Sequence, residues 1–207
     1  GCRPDCRTMD ILPVTLQGRT VRLEPLTLGH VRALWIAAEP GDIFEWFGTP
    51  IRSEDVMRDW VAAALKMRDA GTGLPFCTIA ESSGAPIGSS RYGNIDRANR
   101  RLEIGWTWLA ADWQKTAANT EAKLLMLGHA FDNLGCVRVE FKTDSLNQAS
   151  LAGLRRLGAV EEGTLRKHML CADGRWRDSV YFSITDEEWT ASRGRLQDRL
   201  ARHASGG

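Results

Sequence analysis

The sequence predicts an α+β (mixed α/β) chain built on one central, mostly antiparallel twisted sheet of about seven strands, with helices on both faces. Three observations carry this expectation. Strand-like runs follow one another with no helix between them at 76–81, 86–95 and 100–109, and again at 159–170 and 175–184. Such neighbours are joined by short turns, so they pair antiparallel. Segments of helical period separate the other strands, and the resulting order β-α-α-β-β-β-α-β-α-β-β-α excludes a purely parallel, doubly wound sheet.

Each element has its own signal. Thr20-Val21-Arg22-Leu23-Glu24-Pro25-Leu26 alternates with period two and reads as the first strand. Leu28 to Ala38 is a short amphipathic helix closed by Pro40-Gly41, and an aromatic loop follows at 43–50. Ser53 caps a helix to Ala70 whose stripe is Val56, Trp60, Ala63, Ala64 and Met67, and Gly71 ends it. The runs 76–81 and 86–95 form a hairpin across Ser82-Ser83-Gly84-Ala85. The fourth strand is 100–109, and a long helix occupies about Asn119 to Leu134, stopping at Gly135. The fifth strand is 137–143, and Asn147 caps a helix ending at Gly158. A last hairpin turns at Ala172-Asp173-Gly174, and Thr185-Asp186-Glu187-Glu188 is a capping box that opens a polar helix to about Arg202. The expected organisation is an irregular extension over 1–15, one domain over 16–190, and the end of the last helix with a tail over 191–207.

Composition narrows the function classes. The chain has 207 residues, 43% hydrophobic and 26% charged, with a formal net charge of +1. That is the profile of a globular domain with a sizeable core. Balanced charge without a basic stripe argues against nucleic acid as a partner. No apolar run approaches the roughly 18 residues of a membrane span, so no membrane is expected, and the first residues lack the apolar core of a signal peptide. Cys2, Cys6, Cys77, Cys136 and Cys171 are odd in number and match no zinc spacing. Together with four scattered histidines they predict no metal and a reducing, cytoplasmic setting.

The most informative stretch is Arg101 to Glu121. An apolar strand breaks at Ala110-Ala111-Asp112, small and polar residues follow in Gln114-Lys115-Thr116-Ala117-Ala118-Asn119, and a helix opens at Thr120-Glu121. Free backbone N–H groups and the helix dipole make such a terminus an anion site. Neither the P-loop nor the dinucleotide fingerprint is present. An ordinary strand-to-helix connection gives the same local pattern, so the turn alone leaves both readings open.

The order of elements, with this turn after the fourth strand, resembles the GNAT superfamily of acyl-CoA N-acyltransferases, closest to its RimJ/RimL-like branch. The residues that carry the resemblance are Arg19 to Leu26, Pro86-Ile87-Gly88, Glu103-Ile104-Gly105-Trp106, Trp113 with Thr120-Glu121-Ala122, Asn147-x-x-Ser150, and Leu157-Gly158-Ala159 with Glu162-Gly163. It spans about Leu16 to Trp189. The family's Gln/Arg-x-x-Gly-x-Gly/Ala pattern is altered, with Ala117 at the first Gly and Asn119 at the last small position. Asn119 is a candidate cap there.

The resemblance implies a sheet splayed between the fourth and fifth strands, acetyl-CoA as cosubstrate, and direct attack of a primary amine on the thioester. By the same resemblance the cofactor lies on Trp108, Leu109 and Ala110, on the turn Gln114, Lys115, Thr116, Ala117, Ala118, Asn119 and Thr120, and on Asn147 and Arg155, with Arg156 beside it. Many GNAT enzymes protonate the leaving thiol from a Tyr slightly beyond Asn147. Position 154 is Leu, so Ser150 becomes the candidate acid. Glu103 is the candidate base, weighed against an edge ion pair with Arg91 or Arg101. Phe44, Trp46, Phe47, Arg91 and Tyr92 are the candidate acceptor-site residues, and His168 is an outside candidate for a base. The side chains of Trp106, Trp108 and Trp113 read as structural rather than functional. The acceptor is a small-molecule amine or a protein N-terminus, and a homodimer is left open. The rival reading is a non-catalytic acyl-CoA-binding or regulatory module.

Overall fold

In the computed structural model, residues 9–39, 43, 44, 46, 47 and 50–205 are described. The expectations at residues 1–8 (Cys2 and Cys6 among them), at Pro40-Gly41, at Gly48 and Thr49 of the aromatic loop, and at the last two residues of the tail lie outside them. The elements are β1 (Leu16–Gln17), β2 (Val21–Pro25), α1 (Val31–Ala38), α2 (Glu54–Asp69), β3 (Leu74–Ala80), β4 (Pro86–Asp96) and β5 (Arg101–Leu109). They continue with α3 (Ala117–Gly128), β6 (Arg138–Asp144), α4 (Gln148–Leu157), β7 (Val160–Leu170), β8 (Trp176–Thr185) and α5 (Asp186–Ser205). All eight strands form one sheet in the order β1-β2-β3-β4-β5-β6-β8-β7. The strand beyond the expected seven is the two-residue β1, too short to show a period.

Only β5 and β6 run parallel, and they pair over three residues, Arg101↔Arg138, Leu102↔Val139 and Glu103↔Glu140. Past Glu103 the two strands continue to Leu109 and Asp144 without pairing to each other. The expected splay between the fourth and fifth strands is therefore present, and it opens at Glu103.

The two faces of the sheet bury separate cores. Leu26, Val31, Leu34, Met57, Val61, Cys77, Ile79 and Trp108 pack with α1 and α2 on one face. Tyr92, Leu102, Ile104, Met126, Leu127, Val139, Leu154, Phe182 and Trp189 pack with α3, α4 and α5 on the other. Alternation along β5 puts Leu102 and Ile104 in the second core, and one extra residue between Gly105 and Trp108 shifts the alternation so that Trp108 joins the first.

Local signals set the ends of several elements. Ser53 Oγ accepts from the Val56 N–H at 3.2 Å at the start of α2, and Glu188 Oε2 accepts from the Thr185 N–H at 2.9 Å at the start of α5. The helix after the turn differs from expectation. It begins at Ala117, two residues before Asn119, because Thr116 is its cap and its Oγ1 accepts from the Ala118 N–H at 3.2 Å. After Gly128 it continues as one π-type turn, His129–Asn133, before Gly135 turns the chain with φ 65°.

Glu121, in the first turns of α3, ties β1 and β2 to this helix. Its carboxylate accepts from the backbone N–H groups of Arg19 (3.0 Å), Thr20 (2.6 Å) and Val21 (2.8 Å). A Cβ on Gly18 would come within 2.7 Å of that carboxylate and 2.4 Å of the Val21 carbonyl oxygen, so the turn closes only with glycine there.

Candidate active site

A cleft of about 520 Å³ opens where β5 and β6 part. Its walls are β5 from Glu103 to Leu109, the turn and first helical residues (Gln114, Lys115, Asn119, Thr120, Lys123), Phe141 to Asp144 of β6, and α4. Ile43, Trp46 and Phe47 close it from the other face of the sheet.

A bulge shapes the β5 wall. Ser89 faces Trp108 while Arg91 faces Gly105, so β5 carries one extra residue between them. Trp106 sits there with φ 51°, which a bulky side chain rarely adopts. Bulges re-aim side chains beside active sites, and here the indole is laid across β4. A Cβ on Gly93 would come within 2.4 Å of the ring, so glycine at 93 makes room for it.

On the α1–α2 face, Glu103 is 2% exposed. Asn94 Nδ2 donates to its Oε2 at 2.6 Å, and Lys142 Nζ lies 3.3 Å from the same oxygen. The ion pair is thus with Lys142. Arg101 is engaged by Asp96 and Glu140 instead. Arg91 is 3% exposed, with its guanidinium 4.5 Å from the Trp60 ring centroid and 5.0 Å from that of Trp106. Burial without a counter-charge lowers its pKa to about 10.

On the α3 face, Lys123 Nζ donates to Thr107 Oγ1 at 2.8 Å, and Thr107 Oγ1 in turn bonds Ser90 Oγ at 2.7 Å. The ammonium also lies 5.8 Å from the Phe141 ring centroid. The residue keeps partial solvent contact through the cleft, yet burial of the charged group, with no carboxylate beside it, lowers its pKa to about 7.

The expected site residues divide clearly. Trp108, Leu109, Gln114, Lys115, Asn119, Thr120, Asn147, Ser150, Glu103, Trp46 and Phe47 line this one cleft. Asn147 Oδ1 accepts from the Ser150 N–H at 3.0 Å, so it caps α4 as expected. Gln114 Nε2 donates to the Leu109 carbonyl at 3.2 Å and locks the turn against the end of β5. Ala110, Thr116, Ala117 and Ala118 support the turn from behind, and Ala118 is fully buried. The left-handed residue of the turn is Lys115, φ 62°, whereas Ala117 is helical. The positive φ that glycine would ease therefore lies two residues before Ala117.

Other expectations need correction. Tyr92 is fully buried on the α3 face, and its hydroxyl donates to the Met126 carbonyl at 2.7 Å. Arg91 and Tyr92 are adjacent in β4 and face opposite sides of the sheet, and neither lines the cleft. Arg91 reaches the cleft only through the Trp106 ring. Phe44 is core, edge-on to Trp108 with ring centroids 5.3 Å apart. Arg155 points away and pairs with Glu161 at 2.8 Å, while its neighbour Arg156 lines the cleft. His168 lies on the edge strand β7, bonded to Ser179 at 3.0 Å. Trp106, expected to be structural, lines the cleft.

Four cations of the cleft had no sequence signal: Lys123, Lys142, Arg177 and Arg199. With Lys115 and Arg156 they face, among the described residues, two carboxylates, Glu103 and Asp144. Glu103 is held by Lys142, and Asp144 by Arg175 at 2.6 Å. The surplus is positive and suits a polyanion. Among the described residues no group of His, Cys, Asp or Glu could hold a metal ion.

Comparison with known proteins agrees with this geometry. The family model for the acetyltransferase (GNAT) domain matches residues 20–160. A Bacillus subtilis protein provisionally named ribosomal N-acetyltransferase YdaF is 29% identical over 140 residues, which are 68% of this chain and 72% of that protein. The crystal structure of a GCN5-related N-acetyltransferase from Brucella melitensis superposes with a TM-score of 0.85 at 33% identity, covering 92% of this chain and 86% of that one. Mycobacterium smegmatis RimJ, solved in complex with CoA-disulfide, superposes with a TM-score of 0.74 at 25% identity, covering 90% of this chain and 95% of that one. The chain belongs to the GNAT acetyltransferase family.

Proposed function

We propose that this chain transfers the acetyl group of acetyl-CoA to a primary amine by direct attack, and that the amine is a protein N-terminus. The observation that carries the reading is the splay at Glu103, which leaves one cleft open to both faces of the sheet. The α3 face offers a cofactor half. Lys115, Asn119, Thr120 and the start of α3 receive the pyrophosphate, the open edge of β5 at Trp108 and Leu109 receives the pantetheine arm, and Asn147 and Ser150 flank it from α4. Acetyl-CoA supplies a thioester whose acyl carbon is open to attack by an amine.

The α1–α2 face offers the acceptor half, walled by Trp46, Phe47 and Trp106. Glu103 is the carboxylate of this half and takes the amine proton, directly or through water. Ser150 orients or protonates the leaving thiol. The name of the YdaF relative favours a ribosomal protein as acceptor over a small amine.

The test is thiol release from acetyl-CoA with two panels, peptides carrying free α-amino groups and small amines such as amino acids and polyamines. Turnover with the peptides alone supports the reading in full. Turnover with small amines alone overturns the acceptor and leaves the reaction. CoA binding without release in either panel assigns the chain to the non-catalytic alternative.

A further inference from the structure

We propose that Lys123 is a self-acetylation site: its side-chain amine takes the acetyl group from acetyl-CoA in the cleft when no acceptor is present. This rests on acetyl-CoA occupying the cleft, as argued above. Lys123 reaches the α3 face of the splay and bonds Thr107, the residue next to the Trp106 bulge on the unpaired stretch of β5. An amine at that point lies along the wall where the thioester is proposed to rest.

The three lysines of the cleft differ in what surrounds them. Lys142 is in an ion pair with the buried Glu103. Lys115 stands in the turn at the phosphate end. Lys123 has a hydroxyl and an aromatic ring beside it, and no carboxylate. The other charged groups that line the cleft are Glu103 on β5, Lys142 and Asp144 on β6, Arg156 on α4, Arg177 on β8, Arg199 on α5 and Lys115 in the turn. Both carboxylates are engaged, Glu103 by Lys142 and Asp144 by Arg175. Among the described residues no carboxylate is therefore free to hold the proton on Lys123, and burial, which lowers its pKa to about 7, leaves much of it as free amine near neutrality.

The step balances without a further reagent. The neutral Nζ adds to the acyl carbon and forms the C–N bond. The C–S bond breaks, and the sulfur leaves with the electron pair. The proton shed by the nitrogen ends on the thiolate. The products are Nε-acetyl-lysine and CoA thiol.

The experiment incubates the full chain with acetyl-CoA and no acceptor at about pH 8, with peptide mapping by mass spectrometry and calorimetry of CoA binding in parallel. The expected result is one acetyl group per chain, on Lys123. It should appear on the order of tenfold or more faster than on the exposed Lys66 and Lys167, because the cleft holds the thioester beside Lys123 and neither of those lysines lines it. Excess CoA should suppress it. Lys123→Arg keeps the cation, removes the reactive amine and should abolish it. Bound CoA with Lys123 unmodified overturns the inference and leaves the proposed function standing. Acetylation spread over surface lysines and indifferent to excess CoA overturns it equally. Absence of CoA binding removes both together.

Discussion

Replacing Lys123 with methionine should stabilise the protein, and the gain should depend on pH. Methionine keeps much of the length and apolar stem of lysine and removes the charge. It orphans nothing, because Thr107 Oγ1 keeps its bond to Ser90 Oγ. The magnitude follows from the pKa, which falls from 10.5 unfolded to about 7 folded. Each factor of ten in the proton equilibrium is worth about 1.4 kcal/mol, so the charged form costs at most about 5 kcal/mol. The side chain is part-buried and opens on the cleft, so the figure is discounted for screening by nearby water, and about 2–3 kcal/mol is the expected gain. The sign is set by the lowered folded pKa. The native state binds fewer protons than the unfolded state between about 7 and 10.5, so the cost is full below about 7 and fades as pH rises toward 10.5. Urea denaturation of wild type and Lys123→Met at about pH 6, 8 and 9.5 measures the difference. A gain that shrinks steadily with pH supports the reasoning. A difference that is flat with pH, or a destabilised variant, refutes the claim that the cleft holds an uncompensated ammonium.

Three more outcomes are expected. Glu121→Ala strands three backbone N–H donors, of which that of Val21 is fully buried, and should cost about 3 kcal/mol in urea denaturation; a loss below about 1 kcal/mol would show that water satisfies them. Asn147→Ala removes the cap of α4 at a cost of about 1 kcal/mol and should also weaken CoA binding, and calorimetry at unchanged affinity would confine Asn147 to capping. Glu103→Gln keeps the shape but cannot take a proton, so turnover should fall most near neutral pH and recover in part at high pH, where free amine is abundant; superimposable pH profiles would leave Glu103 only as the partner of Lys142 and Asn94.

The fold was legible because its signals are local. Alternation, caps and glycine stops located every helix and every strand of five residues or more, and the hairpins between them dictated antiparallel pairing. What local reading misplaced were boundaries governed by competition between neighbours. Thr116 and Asn119 are both good caps. Thr116 wins because its Oγ1 accepts from Ala118 and donates to the Trp113 carbonyl at 2.8 Å, fixing the turn from both sides. That moves the start of α3, and it moves the strained residue of the turn to Lys115.

The proposed cofactor half of the cleft could be read from the sequence for the same reason: a strand end, a turn and a helix start are contiguous in the chain. The proposed acceptor half is assembled from a distance. Glu103 meets Lys142 on another strand, and Arg91 lies between Trp60 of α2 and Trp106 of β5. No window of sequence contains such pairs. Lys123 shows how far this goes. Among Ala122, Leu124, Leu125 and Leu127 it looks like an interruption of the buried stripe of α3, a residue for the outer face. It turns inward because β5 and β6 do not pair beyond Glu103, so the sheet beneath this turn of helix is open. The same non-pairing leaves the edge of β5 open beside the cleft, and the bulge against β4 turns Trp106 across the other face. One break in the sheet thus makes the cleft, opens the backbone edge proposed to take the pantetheine arm, and places beside it an amine that no carboxylate of the described residues holds.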